Sequence, residues 1–154
     1  MYLIFEDKTY MIRGAVFEVY KEIGCWFLEA VYQECLEKEL MKQHIPFVAQ
    51  KELQLSYKGE VLKQTYKPDL ICFEQIVVEV KAVRVIVPEH KAQLLNYLKA
   101  TNLKLGLLVT LAVIQKLKLS ALHSKFLCHS VPSVVKEIIS LYHYVENCFE
   151  FVLP

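Results

Sequence analysis

Asp69, Glu79 and Lys81 interrupt a stretch of otherwise apolar, strand-forming sequence, KPDLICFEQIVVEVKAV. Ionised groups on a covered sheet cost several kcal/mol each unless something offsets their lost hydration, so these three call for a compensating partner. Glu79 and Lys81 are two apart and project from one strand face with Val77 and Val83, while Ile76, Val78 and Val80 project from the other. Both faces carry apolar neighbours, which places the two charges in a partly covered trough. Asp69 follows Pro68 in the neighbouring strand, close enough across a hairpin to share that trough.

Two carboxylates converging with a backbone carbonyl, that of Val80, form the oxygen set that Mg²⁺ accepts while keeping several waters; Mn²⁺ is the substitute. Such a cation polarises a phosphate oxygen and lowers the pKa of a coordinated water. Lys81 beside it would orient that water or offset charge developing in the transition state. Phosphodiester hydrolysis needs that combination. The competing reading makes Asp69 a strand-bend residue and Glu79–Lys81 a surface pair worth ~0–1 kcal/mol. Spacing alone does not separate the two, because D-x9-E-x-K is a short pattern.

Two helical segments contribute further candidates. Gln93 and Tyr97 are four apart and share a helix face beside Leu94, Leu95 and Leu98, where an amide could hold a water or a phosphate. Glu29 and Tyr32 are three apart on another helix; taken singly, Glu29 also reads as a solvated first-turn residue favoured by the helix dipole.

The elements that must position these residues follow from periodicity. Ile12, Ala15, Val16, Val19, Tyr20 and Ile23 recur at helical spacing, with Gly24 suited to end that helix. A second helix is predicted over 27–43, with Leu28, Val31, Tyr32, Cys35, Leu36 and Leu40 as its apolar stripe and Pro46 beyond its end. The period then shifts to two, predicting consecutive antiparallel strands: 48–57, a turn at Lys58-Gly59, a return over 61–73 through Pro68, and 76–83. Pro88 opens a third helix, and KLGLLVT from Lys104 is a fully apolar strand. The order is α-α-β-β-β-α-β. Beyond Thr110 neither period is clean, although 133–150 reads as a final helix capped near Ser133.

Composition sets the outer bounds. The 154 residues suit one compact domain, and no charge-free run approaches the ~20 apolar residues of a bilayer span. Acids stand where a signal peptide needs a basic region, so export is not expected. Five scattered cysteines without a CxxC pair suit reduced thiols in a cytoplasm. A zinc site built from His123, Cys128, His129, His143 and Cys148 matches no closed ligand spacing and is set aside. The net charge of +1 provides no general basic field, so nucleic-acid binding would depend on a local patch such as Lys63, Lys67, Arg84 and Lys91.

The segments GCWFLEAVYQECL, YKGEVLKQTYKPDLICF, IVVEVKAV and PEHKAQLLNYLKATNLKLGLLV resemble, in order, blocks of the GxxExxY proteins, a family within the PD-(D/E)XK (restriction-endonuclease-like) nuclease superfamily. The resemblance runs from about Met11 to Thr110. It implies an α/β (α+β type) core with a mixed central sheet flanked by helices. It pairs Pro68-Asp69 with the PD element, Glu79-Val80-Lys81 with (D/E)xK, Gln93 and Tyr97 with QxxxY, and Glu29 with the glutamate of the name motif. The implied roles are metal ligation by Asp69 and Glu79, water activation helped by Lys81, and support from Glu29 and Gln93.

Two departures stand out. The glycine that opens GxxExxY is Trp26, which is strained if the position needs positive φ. Residues 111–154 lack the family's polar, basic ending and read as a divergent extension on the 1–110 domain, a partner- or self-association surface, or a frameshifted stretch. The leading expectation is a Mg²⁺-dependent nuclease acting on nucleic acid, DNA ahead of RNA. The alternative is a nuclease fold kept as a catalytically inactive binding or assembly module.

Overall fold

The computed structural model describes residues 4–111 and 149–152. The elements run α1 (Glu6–Ile23), α2 (Glu29–Lys42), β1 (Phe47–Ala49), β2 (Leu53–Tyr57), β3 (Glu60–Tyr66), β4 (Leu70–Cys72), β5 (Ile76–Lys81), α3 (Pro88–Thr101), β6 (Leu105–Thr110) and β7 (Phe149–Val152). The final helix expected over 133–150 and the five residues of the zinc reading, His123 to Cys148, lie outside the described residues, except that 149–150 are strand.

The main sheet has the order β1-β4-β5-β6-β7, and only the β5–β6 pair is parallel. This is the expected mixed α+β architecture. A parallel pair requires a crossover, which α3 supplies by running back between the two strands. α1 and α2 cover one sheet face, where Ile12, Val16, Tyr32 and Leu36 meet Ile76, Val78, Val80, Leu105 and Leu107. α3 covers the other, where Leu94, Tyr97 and Leu98 meet Val77 and Leu108. Every residue of β5 and β6 is buried, as strands covered on both sides must be.

The strand pairing differs from a simple meander. The expected strand over 48–57 is broken at Gln50, whose φ of 45° turns the chain between β1 and β2. β1 then pairs with β4, while β2 and β3 form a separate two-stranded ribbon. The return strand is likewise divided, because Pro68 lies between β3 and β4 and cannot donate to a ladder.

The helices also differ in detail. α1 begins at Glu6, ahead of the apolar repeat, with Glu6 and Asp7 in its first turn, and ends at Gly24 with φ 71°. α2 ends at Lys42 with Gln43 as its C-cap, within a residue of the expected end, and His44 follows in the left-handed region at φ 55°. Leu28 and Val31, expected on its buried stripe, are exposed; Tyr32, Leu36 and Leu40 carry the contact. α3 lies close against β6 because Gly106 has no side chain: a Cβ there would stand 2.7 Å from Leu94 Cγ.

Candidate active site

The junction of β4 and β5 brings Asp69, Glu79 and Lys81 together. The Val80 N–H donates to Asp69 Oδ2 at 2.8 Å, and the Asp69 N–H donates to Glu79 Oε2 at 3.4 Å. Lys81 Nζ donates to Glu79 Oε1 at 2.9 Å. Glu79 is 2% exposed and Lys81 9%, so the surface-pair reading of these two does not hold. Their burial has a direct cause, since both side chains project from the β5 face that α3 covers, on the same side as Val77.

The regular β4–β5 register ends at Leu70↔Val78, and Pro68 and Asp69 precede it, with a bend at Asp69. The Asp69 carbonyl accepts from Gln50 N–H at 3.0 Å. Pro68 has no N–H to give a ladder.

Electrostatics follow from this crowding. Burial pushes the Glu79 carboxyl up to about 7, reinforced by the Asp69 charge and opposed by the hydrogen bond and charge of Lys81. Burial likewise raises Asp69, against the Val80 N–H and Lys81, which favour its ionised form. Burial disfavours the Lys81 cation, but its bond to Glu79 and the charges of Glu79, Glu29 and Asp69 outweigh that, so its pKa rises. A site of this kind gains strongly from an added positive charge.

The remaining candidates stand around this cluster. Glu29 opens α2, and its Oε1 accepts the Ala82 N–H at 3.2 Å, fastening the helix start to the end of β5. Its hydrogen bond goes to the strand exit, and its charge also acts on Asp69 and Lys81. Tyr32 holds the preceding loop, donating to the Gly24 carbonyl at 3.0 Å and accepting from Phe27 N–H at 3.3 Å. Trp26 has φ 82°, the left-handed conformation that favours glycine, and its ring lies 4.6 Å from the Arg84 guanidinium.

Gln93 and Tyr97 are joined: Gln93 Nε2 donates to the Tyr97 oxygen at 3.0 Å, and the hydroxyl donates to the Lys67 carbonyl at 3.1 Å. α3 is thereby tied to the residue just before Pro68. Tyr97 is 5% exposed and its pKa rises, chiefly through burial, with the Glu79 and Asp69 charges adding to the effect. Gln93 meets Tyr97 and not the carboxylates.

Sequence reasoning missed the backbone partners at Ala82 and Lys67, which no side-chain pattern signals. It also missed Thr110, whose hydroxyl donates to the Val83 carbonyl at 2.5 Å and anchors the chain leaving β5. A buried threonine closing the apolar run LGLLVT was the available cue. Of the expected basic patch, Lys67 is paired with Glu52 at 2.7 Å and Arg84 lies over Trp26. Lys63 sits on the exposed ribbon strand β3, and Lys91 on the exposed first turn of α3.

Among the described residues no group of three or more His, Cys, Asp or Glu side chains is placed to hold a metal. Asp69, Glu79 and the Val80 carbonyl are oxygen donors of the kind a hard divalent cation takes, with water completing its shell.

The model of the PD-(D/E)XK nuclease superfamily matches residues 6–121. The chain belongs to that superfamily. PD-(D/E)XK proteins are typically phosphodiesterase nucleases that bind nucleic acid and generally use divalent cations such as Mg²⁺. Among solved structures, the crystal structure of SSO0001 matches with 19% identity and a TM-score of 0.41, covering 76% of this chain and 71% of that one. No curated protein matches the sequence. No helix among the described residues is long and apolar enough to cross a membrane.

Proposed function

We propose that the protein is a Mg²⁺-dependent nuclease that hydrolyses phosphodiester bonds in nucleic acid, DNA ahead of RNA, and that it is a GxxExxY-type member of its superfamily. The observation that carries this reading is the buried set of Asp69, Glu79 and Lys81, linked through Val80 N–H and Asp69 N–H at one strand junction. Burial and the neighbouring Asp69 charge that push the Glu79 carboxyl up to about 7 are the kind of perturbation that clusters at functional sites.

In this reading Asp69, Glu79 and the Val80 carbonyl hold the cation, which when bound polarises the phosphate and acidifies its water. Lys81 orients the attacking water and offsets charge on the phosphorane-like transition state. Tyr97, held by Gln93, fixes the Lys67–Pro68 turn and so the position of Asp69. Glu29 fixes the end of β5 just beyond Lys81. The GxxExxY assignment is supported by Trp26 having positive φ where the motif has glycine, and by Glu29 and Tyr32 each securing a neighbouring segment.

We read residues 1–110 as the nuclease-like domain and 111–154 as an extension packed on it, supported by the pairing of β7 with β6. Unpaired Cys25, Cys35 and Cys72 suit a reducing cytoplasm. The test is cleavage of labelled single- and double-stranded DNA and RNA with Mg²⁺ or Mn²⁺. Asp69→Asn and Lys81→Ala should each lower the rate by roughly 10²-fold or more. Cleavage that survives both changes would remove the catalytic assignment, and a folded chain that binds but never cleaves would leave the binding-module alternative.

A further inference from the structure

Trp26, three positions before Glu29, holds a conformation its residue type disfavours. Its φ is 82° and it is 66% exposed, so burial does nothing to offset the strain. The Arg84 guanidinium lies over its ring, 4.6 Å from the centroid. These two residues come from the two segments that frame the site, since Trp26 precedes Glu29 by three positions and Arg84 follows Lys81 by three. The hydrogen bond from Ala82 N–H to Glu29 Oε1, 3.2 Å long, fastens those segments to each other. Strain kept at an exposed position on the segment that Glu29 fastens to the end of β5 points to contact with a ligand.

We propose that Trp26 and Arg84 form a stacking station for an unpaired nucleobase of single-stranded DNA, adjacent to the phosphodiester held at Asp69, Glu79 and Lys81. The assignment rests on the nuclease reading of that site. Arg84 occupies one side of the indole, and the exposure of the residue leaves ring surface open to solvent. Any base can stack there, because every base has a π face. Arg84 holds the indole by a cation–π contact and brings a positive charge within reach of the neighbouring phosphate. A net charge of +1 makes such local contacts the main source of grip. An intact duplex keeps its bases stacked internally, so the station selects single strands and frayed ends.

Trp26 is the sole tryptophan, so intrinsic fluorescence reports on this position alone. The full chain, in chelator to prevent turnover, is titrated with oligothymidylate, with an abasic oligomer of equal length, and with a closed hairpin duplex. Oligothymidylate should quench Trp26 strongly and the other two weakly. By anisotropy, Trp26→Ala should weaken oligothymidylate binding by about 5- to 150-fold and leave abasic binding unchanged, while Trp26→Phe retains most of the affinity. Equal quenching by ordinary and abasic oligomers, no quenching by any, or full affinity in Trp26→Ala would overturn the proposal. Should Trp26→Ala fail to fold, the three titrations of the unaltered chain still decide it. Base-dependent quenching in a chain that cleaves nothing with Mg²⁺ or Mn²⁺ would keep the station and remove the nuclease reading. Cleavage with base-independent quenching would do the reverse.

Discussion

The Val80 N–H donates to the Asp69 carboxylate at 2.8 Å, two residues beyond Val78, where the β4–β5 register ends against Leu70. Pro68, two residues before Leu70, has no N–H with which to continue that ladder. Pro68→Ala restores a donor that can engage the Val80 carbonyl proposed as a metal ligand. A net hydrogen bond of about 0.5–1.5 kcal/mol corresponds to a 2- to 12-fold loss of Mg²⁺ affinity. Isothermal titration with Mg²⁺ should register that loss while circular dichroism stays unchanged; unaltered affinity would separate the carbonyl from metal binding.

Stability should fall with rising pH when no divalent cation is present. The Glu79 carboxyl titrates near the usual 4.5 when unfolded and at about 7 when folded. Between those values the folded chain binds more protons than the unfolded one, so this contribution is fully present below 4.5 and is lost as pH rises through 7. Its ceiling is about 3 kcal/mol, and the upward shift of Asp69 acts in the same sense. Urea midpoints measured from pH 5 to 8 should decline in chelator, flatten in Glu79→Gln, and recover on addition of Mg²⁺.

Gly106→Ala should loosen the helix that carries Gln93 and Tyr97. The new methyl would stand 2.7–2.9 Å from the Leu94 branch, so Leu94 or α3 must move. Overpacking of this kind costs about 1–3 kcal/mol. Combining it with Leu94→Ala should give a loss smaller than the sum of the two single losses, because the second change empties the space the first one needs. Denaturant unfolding of the four chains checks this; strict additivity would mean that the contact is not shared.

Trp26→Gly should stabilise the fold slightly. Relief of the left-handed tryptophan is worth on the order of 1–2 kcal/mol, against which stands the lost cation–π contact with Arg84, worth about 0.5–1 kcal/mol at an exposed site. A melting temperature at or above that of the unaltered chain is the expected result. A clear drop would mean that the indole supports the loop by packing.

Much of the site was legible because its signal was local. Charges at Asp69, Glu79 and Lys81 within an apolar, period-two stretch could be assigned to strand faces from alternation alone, and the faces are as expected. Gln93 and Tyr97 shared a helix turn, but their mutual hydrogen bond and the reach to Lys67 depend on how α3 docks. The strand partners were less accessible. Nothing in VAQKELQLSY marks Gln50 as a left-handed hinge, since the position lacks the glycine that usually signals one. Period two likewise says which way side chains alternate, not which strand lies alongside, so the β2–β3 ribbon could not be told from the main sheet. Leu28 and Val31 continue an apolar stripe past the point where neighbouring structure stops covering it.

The parallel join of β5 to β6 ties the proton affinity of Glu79 to residues far along the chain. Glu79 sits beside Leu108, a residue 29 positions later, with α3 crossing between the two strands. Such distant pairings carry a loop-closure cost that must be met before they stabilise the fold. The burial that holds this carboxyl protonated up to about 7 therefore depends on segments that follow it in sequence.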